Sequence, residues 1–429
     1  MRMKFSKRVL IVVCSLVALL AIFPLYKSFA HRVERPDVTI HGPIVMADGI
    51  GRQTVELARA LAKKFKVQIK SKLVIKTDLP ICIKNILKTK YKKPAQVVIV
   101  EEGLWAPGDS LDRFFREADA KDQIRFAYSM LESTRIIPEW VMMINLYFDG
   151  VIVPDPFLVD VYRNSGVTVP IFHIPLGIDI EDFLNAPLKE PKTSGPLVFA
   201  SLGSGIDRKN HKMIIQAFAK ALGNNENAWL YINCRSSEPE VRESIIEEIV
   251  KQNCNNIKFT ELCLRKDAYL KFFRSVDCLL SFSKGEGFAI QPREAMALGI
   301  PVIATDNTAQ STICKSGLVK VISSMVAEPR YYYGRLINDG EQYNCSLDEA
   351  AEAIRDVYWN YNEYAKNAPL MRQWASNYHY KNLAKYYKTL VSPKGVVLGD
   401  VNEITADGII TNSQSLHDKY LRLVKGKND

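Results

Sequence analysis

From Val38 onward, short apolar runs alternate with longer stretches whose apolar residues recur three and four positions apart, the pattern of parallel βαβ units. Residues 37–42 predict a first strand and 54–65 a helix with one apolar face; further strands are predicted at 95–100, 150–153 and 171–174. Residues 187–196 are rich in Pro, Lys, Ser and Thr and carry no apolar period, which reads as a linker. A second alternation follows, with strands at 197–201, 228–233, 257–259, 278–281 and 301–304 and helices at 211–222, 238–252, 266–275 and 289–298. Residues 347–364 and 370–390 predict two long helices, and beyond Ser392 the pattern fades into what reads as a peripheral tail.

At 429 residues the chain fits two domains better than one. The division is an N-terminal segment 1–35, a first α/β domain 36–186, a second 196–345, C-terminal helices 346–391 and a tail 392–429. Within the first segment Arg2, Lys4, Lys7 and Arg8 precede an uncharged, mostly apolar run over 9–26, long enough to cross a bilayer. It predicts a single-pass signal anchor and a membrane localisation. The rival is a cleaved signal peptide, for which 28–30 is a loose small-x-small site, although the run exceeds the usual signal core. Lys27, Arg32 and Arg35 nearly balance the basic residues before the run, so the positive-inside rule leaves the side of the membrane open.

Composition narrows the partners. Hydrophobic residues at 47% and charged residues at 24% are a globular balance. The excess of 57 Lys+Arg over 47 Asp+Glu, a net +10, favours phosphate groups or acidic lipid. Nucleic acid is set aside because no recognition motif accompanies the charge. Residues 70–93 concentrate eight lysines among aliphatic residues, which suits either a solvated helix and loop or an anionic membrane surface. The eight cysteines are scattered without a C-x-x-C pair or a Cys/His cluster, so free thiols and no bound metal are expected.

The candidate chemistry sits in KGEGFAIQPREAMALGIPVIATD, residues 284–306. A strand ending near Ser283, a glycine-flanked Glu286 and a helix beginning close to Phe288 would aim the amides of Gly287, Phe288, Ala289 and Ile290 at one point, a natural seat for a diphosphate. Glu294, eight residues after Glu286, falls about two turns along and could accept hydrogen bonds from vicinal ribose hydroxyls. In SLGSGIDRKNH, residues 201–211, Arg208 and Lys209 lie between a strand and a helix of the same domain, where fixed positive charge could stabilise a departing nucleoside diphosphate. Earlier, Gly49-Ile50-Gly51 reads as a strand-to-helix turn that lets a ligand approach the backbone, or as a plain turn. No Asp-x-Asp triplet occurs, so the short acidic motif that holds a metal in many sugar transferases has no candidate.

The spacing of Glu286 and Glu294, the small-residue helix and the following G-x-P-V-I-A-T closely resemble the donor site of glycosyltransferase family 4. The resemblance implies a GT-B fold: two Rossmann-like, doubly wound domains facing a cleft. It also implies a retaining transferase for a nucleotide-linked hexose, with no cofactor. By that resemblance Glu286 contacts the transferred sugar, Glu294 the ribose, and Lys209 with Arg208 the phosphates; in many relatives the two cations are further apart. Residues 132–140, 149–155 and 175–179 also look like this family, which makes Glu132 and Arg135 candidates for sugar or acceptor contacts beside Gly49 and Gly51. The family's histidine in the first domain is missing, since none of the six histidines lies between His41 and His173. Either Glu132 takes that role or the acceptor site differs. A UDP or GDP donor, a glycan or lipid-linked acceptor and a membrane are the implied partners. The alternatives are a catalytically inactive sugar-binding scaffold, a glycan phosphorylase, which would need pyridoxal phosphate and a longer chain, and an NAD-dependent oxidoreductase, against which the missing G-x-G-x-x-G counts.

Overall fold

The computed structural model describes residues 35–91, 95–101, 123–331 and 338–425. The proposed membrane anchor lies outside them, and among the described residues no helix is long and apolar enough to cross a membrane.

Two α/β lobes are each built on a parallel sheet. In the first, β1 (Val38–His41), β2 (Val67–Lys70), β3 (Val97–Val100), β4 (Ile124–Tyr128), β5 (Gly150–Val153) and β6 (Ile171–His173) run in the order β2-β1-β3-β4-β5-β6. In the second, β7 (Leu197–Gly205), β8 (Ala228–Ser237), β9 (Ile257–Glu261), β10 (Cys278–Ser281), β11 (Val302–Asp306) and β12 (Lys320–Ser323) run in the order β12-β11-β10-β7-β8-β9. Central strands such as β3 and β5 are buried at every position, as their unbroken apolar sequence requires when helices cover both faces of a sheet.

Several elements depart from the sequence reading. The helix expected from Thr54 spans Gly49–Ala62, so the glycine pair forms its first turn instead of preceding it. A Cβ on Gly51 would lie 2.3 Å from the Val45 carbonyl oxygen. The space a side chain would need there is filled by the chain's own backbone, which gives Gly51 a packing role. The two long C-terminal helices are each broken, the first into Leu347–Trp359 and Tyr361–Ala365 and the second into Ala368–Ser376 and Tyr380–Val391. At the second break Ile178 and Tyr378–Tyr380 exchange backbone hydrogen bonds, a tertiary contact that competes with helix continuation.

Helix Tyr380–Val391 sets Tyr380, Leu383 and Leu390 into the core of the first lobe, where the Tyr387 hydroxyl donates to the Pro175 carbonyl at 2.5 Å and accepts from Gly177 N at 2.8 Å. The segment after Ser392, expected to be peripheral, also packs there. Helix Gln414–Lys425 places Leu416 and Tyr420 one turn apart and buries both, and the Tyr420 hydroxyl donates to the Leu390 carbonyl at 2.8 Å. Also unforeseen is the antiparallel hairpin of β13 (Val326–Tyr331) and β14 (Asn338–Asn344), which rests on the first lobe: Glu341 N donates to Thr134 Oγ1 at 2.9 Å and Ser133 Oγ to the Asp339 carbonyl at 2.7 Å.

Ion pairs cross the seam between lobes: Arg52 with Glu294 at 2.6 Å, Arg265 with Asp78 at 3.1 Å, Arg235 with Asp48 at 3.3 Å and Arg208 with Glu132 at 3.3 Å. Each places an arginine against a carboxylate of the opposite lobe.

Candidate active site

In an open parallel sheet a ligand lies beyond the carboxyl ends of the strands where strand order reverses. In the second lobe that point is between β7 and β10. The chain leaving β7 forms a single 3-10 turn, Asp207–Lys209, which ends at Asn210 in the left-handed region before helix His211–Leu222 begins. The chain leaving β10 runs through Ser283 to Glu286. The fold thus sets Arg208 and Lys209 opposite Glu286.

The three side chains meet. Lys209 Nζ lies 2.5 Å from Glu286 Oε1 and Arg208 Nη1 3.1 Å from Oε2, while Ser283 Oγ donates to Oε1 at 2.6 Å. The Glu286 amide donates to Thr308 Oγ1 at 2.8 Å, which fixes the turn. Burial would raise the Glu286 pKa, but the two cations outweigh it and hold the carboxyl at about 2. Burial pulls the Lys209 pKa down against the attraction of Glu286. Arg208 is shared between Glu286 and Glu132, so an incoming phosphate would compete with these carboxylates for Arg208 and Lys209 at the switch point. Lys284 sits alongside, held 2.9 Å from both Asp207 and Glu328. The cavity lined by Ser201, Lys209, Ser283, Glu286, Gln291 and Pro292 measures only about 10 Å³, room for one water. A ligand larger than water placed there would require these side chains to move.

Glu294 is fully buried, with Oε1 2.6 Å from Arg52 and Oε2 accepting from the Tyr269 hydroxyl at 2.7 Å. The helix that carries it spans Ile290–Ala297, one residue shorter at each end than the predicted 289–298, and Ala289 before it takes a left-handed φ of 60°. That bend is fastened from behind by Arg293. Its guanidinium is completely buried 3.9 Å over the Phe288 ring and 4.4 Å over Tyr378, and donates to the carbonyls of Phe288 and Ala289. Arg293 thus ties the carbonyls of Phe288 and Ala289 just before the helix start.

The first-lobe candidates divide. Gly49 faces the donor helix, since a Cβ on it would lie 3.6 Å from Ile290 Cδ1. Glu132 reaches the site through Arg208 and also pairs with Arg330 at 3.5 Å. Its carbonyl packs on Gly285, where a Cβ would come within 2.1 Å of the oxygen. Arg135 turns away, donating to the Asn338 carbonyl at 2.9 Å and to its Oδ1 at 2.6 Å, and so fastens the β14 hairpin instead of facing Glu286. Gly51, as above, serves packing.

Sequence reading passed over Arg52, Tyr269, Ser283, Thr308 and Arg293. Arg52 had left a trace: a cation in the first turn of a helix opposes the helix dipole and signals an acid nearby. Glu101 was also passed over. It follows β3 at the first lobe's own reversal point, between β1 and β3, is 4% exposed, and accepts from Thr54 Oγ1 at 2.5 Å. Burial pushes its pKa up to about 8, and its Oε1 has no hydrogen-bond partner among the described residues.

Comparison with known proteins agrees with this geometry. Residues 184–324, which include most of the second lobe's sheet, match the family model of group 1 glycosyl transferases. The chain is 23% identical over 313 residues, 69% of its own length and 84% of the relative's, to uncharacterized protein 356 of Sulfolobus islandicus rod-shaped virus 1. A glycosyltransferase from Rickettsia africae aligns with a TM-score of 0.61 at 15% identity, covering 82% of this chain and 98% of that one. A TarM variant of S. aureus, solved with Fondaparinux, alpha-GlcNAc-glycerol and UDP, aligns with a TM-score of 0.52 at 15% identity over 69% of this chain, which spans 55% of TarM. These structural likenesses show the fold, a GT-B-like pair of Rossmann-like domains.

Proposed function

We propose that this protein is a retaining glycosyltransferase that moves a hexose from a UDP- or GDP-linked donor to a glycan or lipid-linked acceptor without a metal. The observation that carries the reading is the convergence of Lys209, Arg208 and Glu286 at the strand-order reversal of a lobe that matches the group 1 glycosyl transferase model over most of its sheet. UDP is bound by TarM, which makes uridine donors the first to test.

In the proposed reaction the donor's diphosphate takes the place of the Glu286 carboxylate on Lys209 and Arg208, with the amides of Gly287 to Ile290 behind it. Glu286, released from its cations, accepts hydrogen bonds from the sugar, and Glu294 exchanges a present partner for the ribose. The bond from the anomeric carbon to the phosphate oxygen breaks as the acceptor hydroxyl attacks from the same face. The acceptor's proton passes to the departing phosphate oxygen. Charge builds on the phosphate, and prepositioned cations stabilise it without reorganising. Their presence is also the ground for proposing that no metal is required.

Incubation with candidate UDP- and GDP-sugars, following release of nucleoside diphosphate and the anomeric configuration of the product by NMR, tests this. Transfer with retention, unchanged by EDTA, is the expected result. Donor binding without turnover over any acceptor or water would instead establish the inactive sugar-binding scaffold.

A further inference from the structure

One feature of the sequence stands apart from the donor site, the lysine-rich segment after β2. We propose that this face docks the first lobe on an anionic lipid bilayer, independently of the transferase reading. Leu73, Val74, Ile75 and Ile81 are 51%, 38%, 45% and 76% exposed, an aliphatic cluster left in solvent. Its backbone is held at the sheet edge, where Ile44 N donates to the Leu73 carbonyl and Ile75 N to the Ile44 carbonyl, both at 2.8 Å. Residues 73–75 are therefore pinned to the sheet edge through an isolated bridge between Ile44 and Val74.

Helix Ile81–Lys88 continues the face. It buries Ile83 in the core and leaves Ile81, Lys84 and Lys88 exposed at helical spacing along one side. Lys72 and Lys76 are exposed on either side of the aliphatic run. Between Lys63 and Val100 the one acid is Asp78, and it is engaged elsewhere, 3.1 Å from Arg265 and 3.3 Å from Lys266 N. Within this stretch of sequence the lysines thus have no other acid beside them.

This combination selects the occupant. Exposed aliphatics gain by entering the acyl boundary while lysines alongside meet anionic headgroups, each cation improving partitioning by about fivefold near such a surface. A nucleic acid would use the charge but has no use for four aliphatic side chains, and they include no aromatic ring on which a base could stack. The Asp78–Arg265 pair crosses the seam, so the face lies at the rim between the lobes. A lobe docked in this way would hold that rim against the headgroups.

Two exposed cysteines make the test internal to the molecule: Cys82 lies at the start of the helix, next to Ile81 and flanking the proposed face, and Cys263 on the second lobe. Full-length protein with Cys14→Ser and a polarity-sensitive fluorophore on either Cys82 or Cys263, the other replaced by serine, is mixed with vesicles of phosphatidylcholine or of phosphatidylcholine with phosphatidylglycerol. The expected result is a blue shift at Cys82 with the anionic vesicles only, reversed by high salt, with no shift at Cys263. Joint Lys72→Glu, Lys76→Glu and Lys84→Glu substitution should lower vesicle affinity for this face by at least about a hundredfold. An unresponsive Cys82, equal responses at the two cysteines, an equal response to neutral vesicles, or a response to heparin but not to vesicles overturns the proposal.

Discussion

Each lobe places a buried glutamate at the reversal point of its sheet, and the two are held in opposite charge states. Glu286, 6% exposed in the second lobe, has two cations within 3.1 Å and a pKa held at about 2. Glu101, 4% exposed in the first, has a threonine hydroxyl and is pushed up to about 8. Similar burial gives opposite outcomes because desolvation alone favours the neutral acid, whereas close cations reverse it. The difference assigns the lobes different work. The second is arranged to hold negative charge. The first offers at neutral pH a protonated carboxyl able to donate a hydrogen bond.

The largest effect should come from removing the charge that separates the two sites. Lys209→Ala is expected to lower turnover at least about tenfold, in the range for loss of a preorganised charged donor, measured as nucleoside diphosphate release; wild-type rates would sink the site. Glu294→Ala should weaken donor binding about tenfold by calorimetry, as for one lost charge-assisted hydrogen bond. Gly285→Ala forces a Cβ toward the Glu132 carbonyl and should lower the melting temperature by several degrees, about 1–2 kcal/mol of overpacking.

The smallest effects are in the pH profile. The raised pKa of Glu101 makes its contribution to stability full below its ordinary 4.5 and lost as pH rises through about 8. Glu286, depressed from 4.5 to about 2, contributes above 4.5 and loses that contribution as pH falls through 2. Thermal unfolding across pH should therefore show Glu101→Gln flattening the alkaline decline and Glu286→Gln flattening the acid one. Identical profiles for the two variants would dissolve the contrast between the lobes.

How much of this was visible in sequence depends on the range of the interactions. Helices His211–Leu222 and Lys266–Ser275 and strand Cys278–Ser281 match their predicted bounds because each carries its own periodicity. Glu286 and Glu294 were legible because a turn and one helix fix their spacing. The break between Ser376 and Tyr380 was not, since no proline or glycine marks it and its cause is a contact with Ile178. The hairpin at 326–344 is polar enough to hide its alternation. The contact of Arg135 with Asn338 was not legible because the two lie 203 positions apart. Gly51 misled because a glycine freed for a ligand and one crowded by its own chain look identical in sequence.

The arginine pairs along the seam bear on how the molecule works over time. They hold the two lobes together beside the candidate site, so in the proposed reaction some of them would have to part before a donor is admitted. Because those pairs are ionic, dissolved electrolyte is in effect the lubricant of the hinge. Added salt should hasten opening even as it weakens the pull on the incoming diphosphate, and the fastest turnover is expected at an intermediate ionic strength.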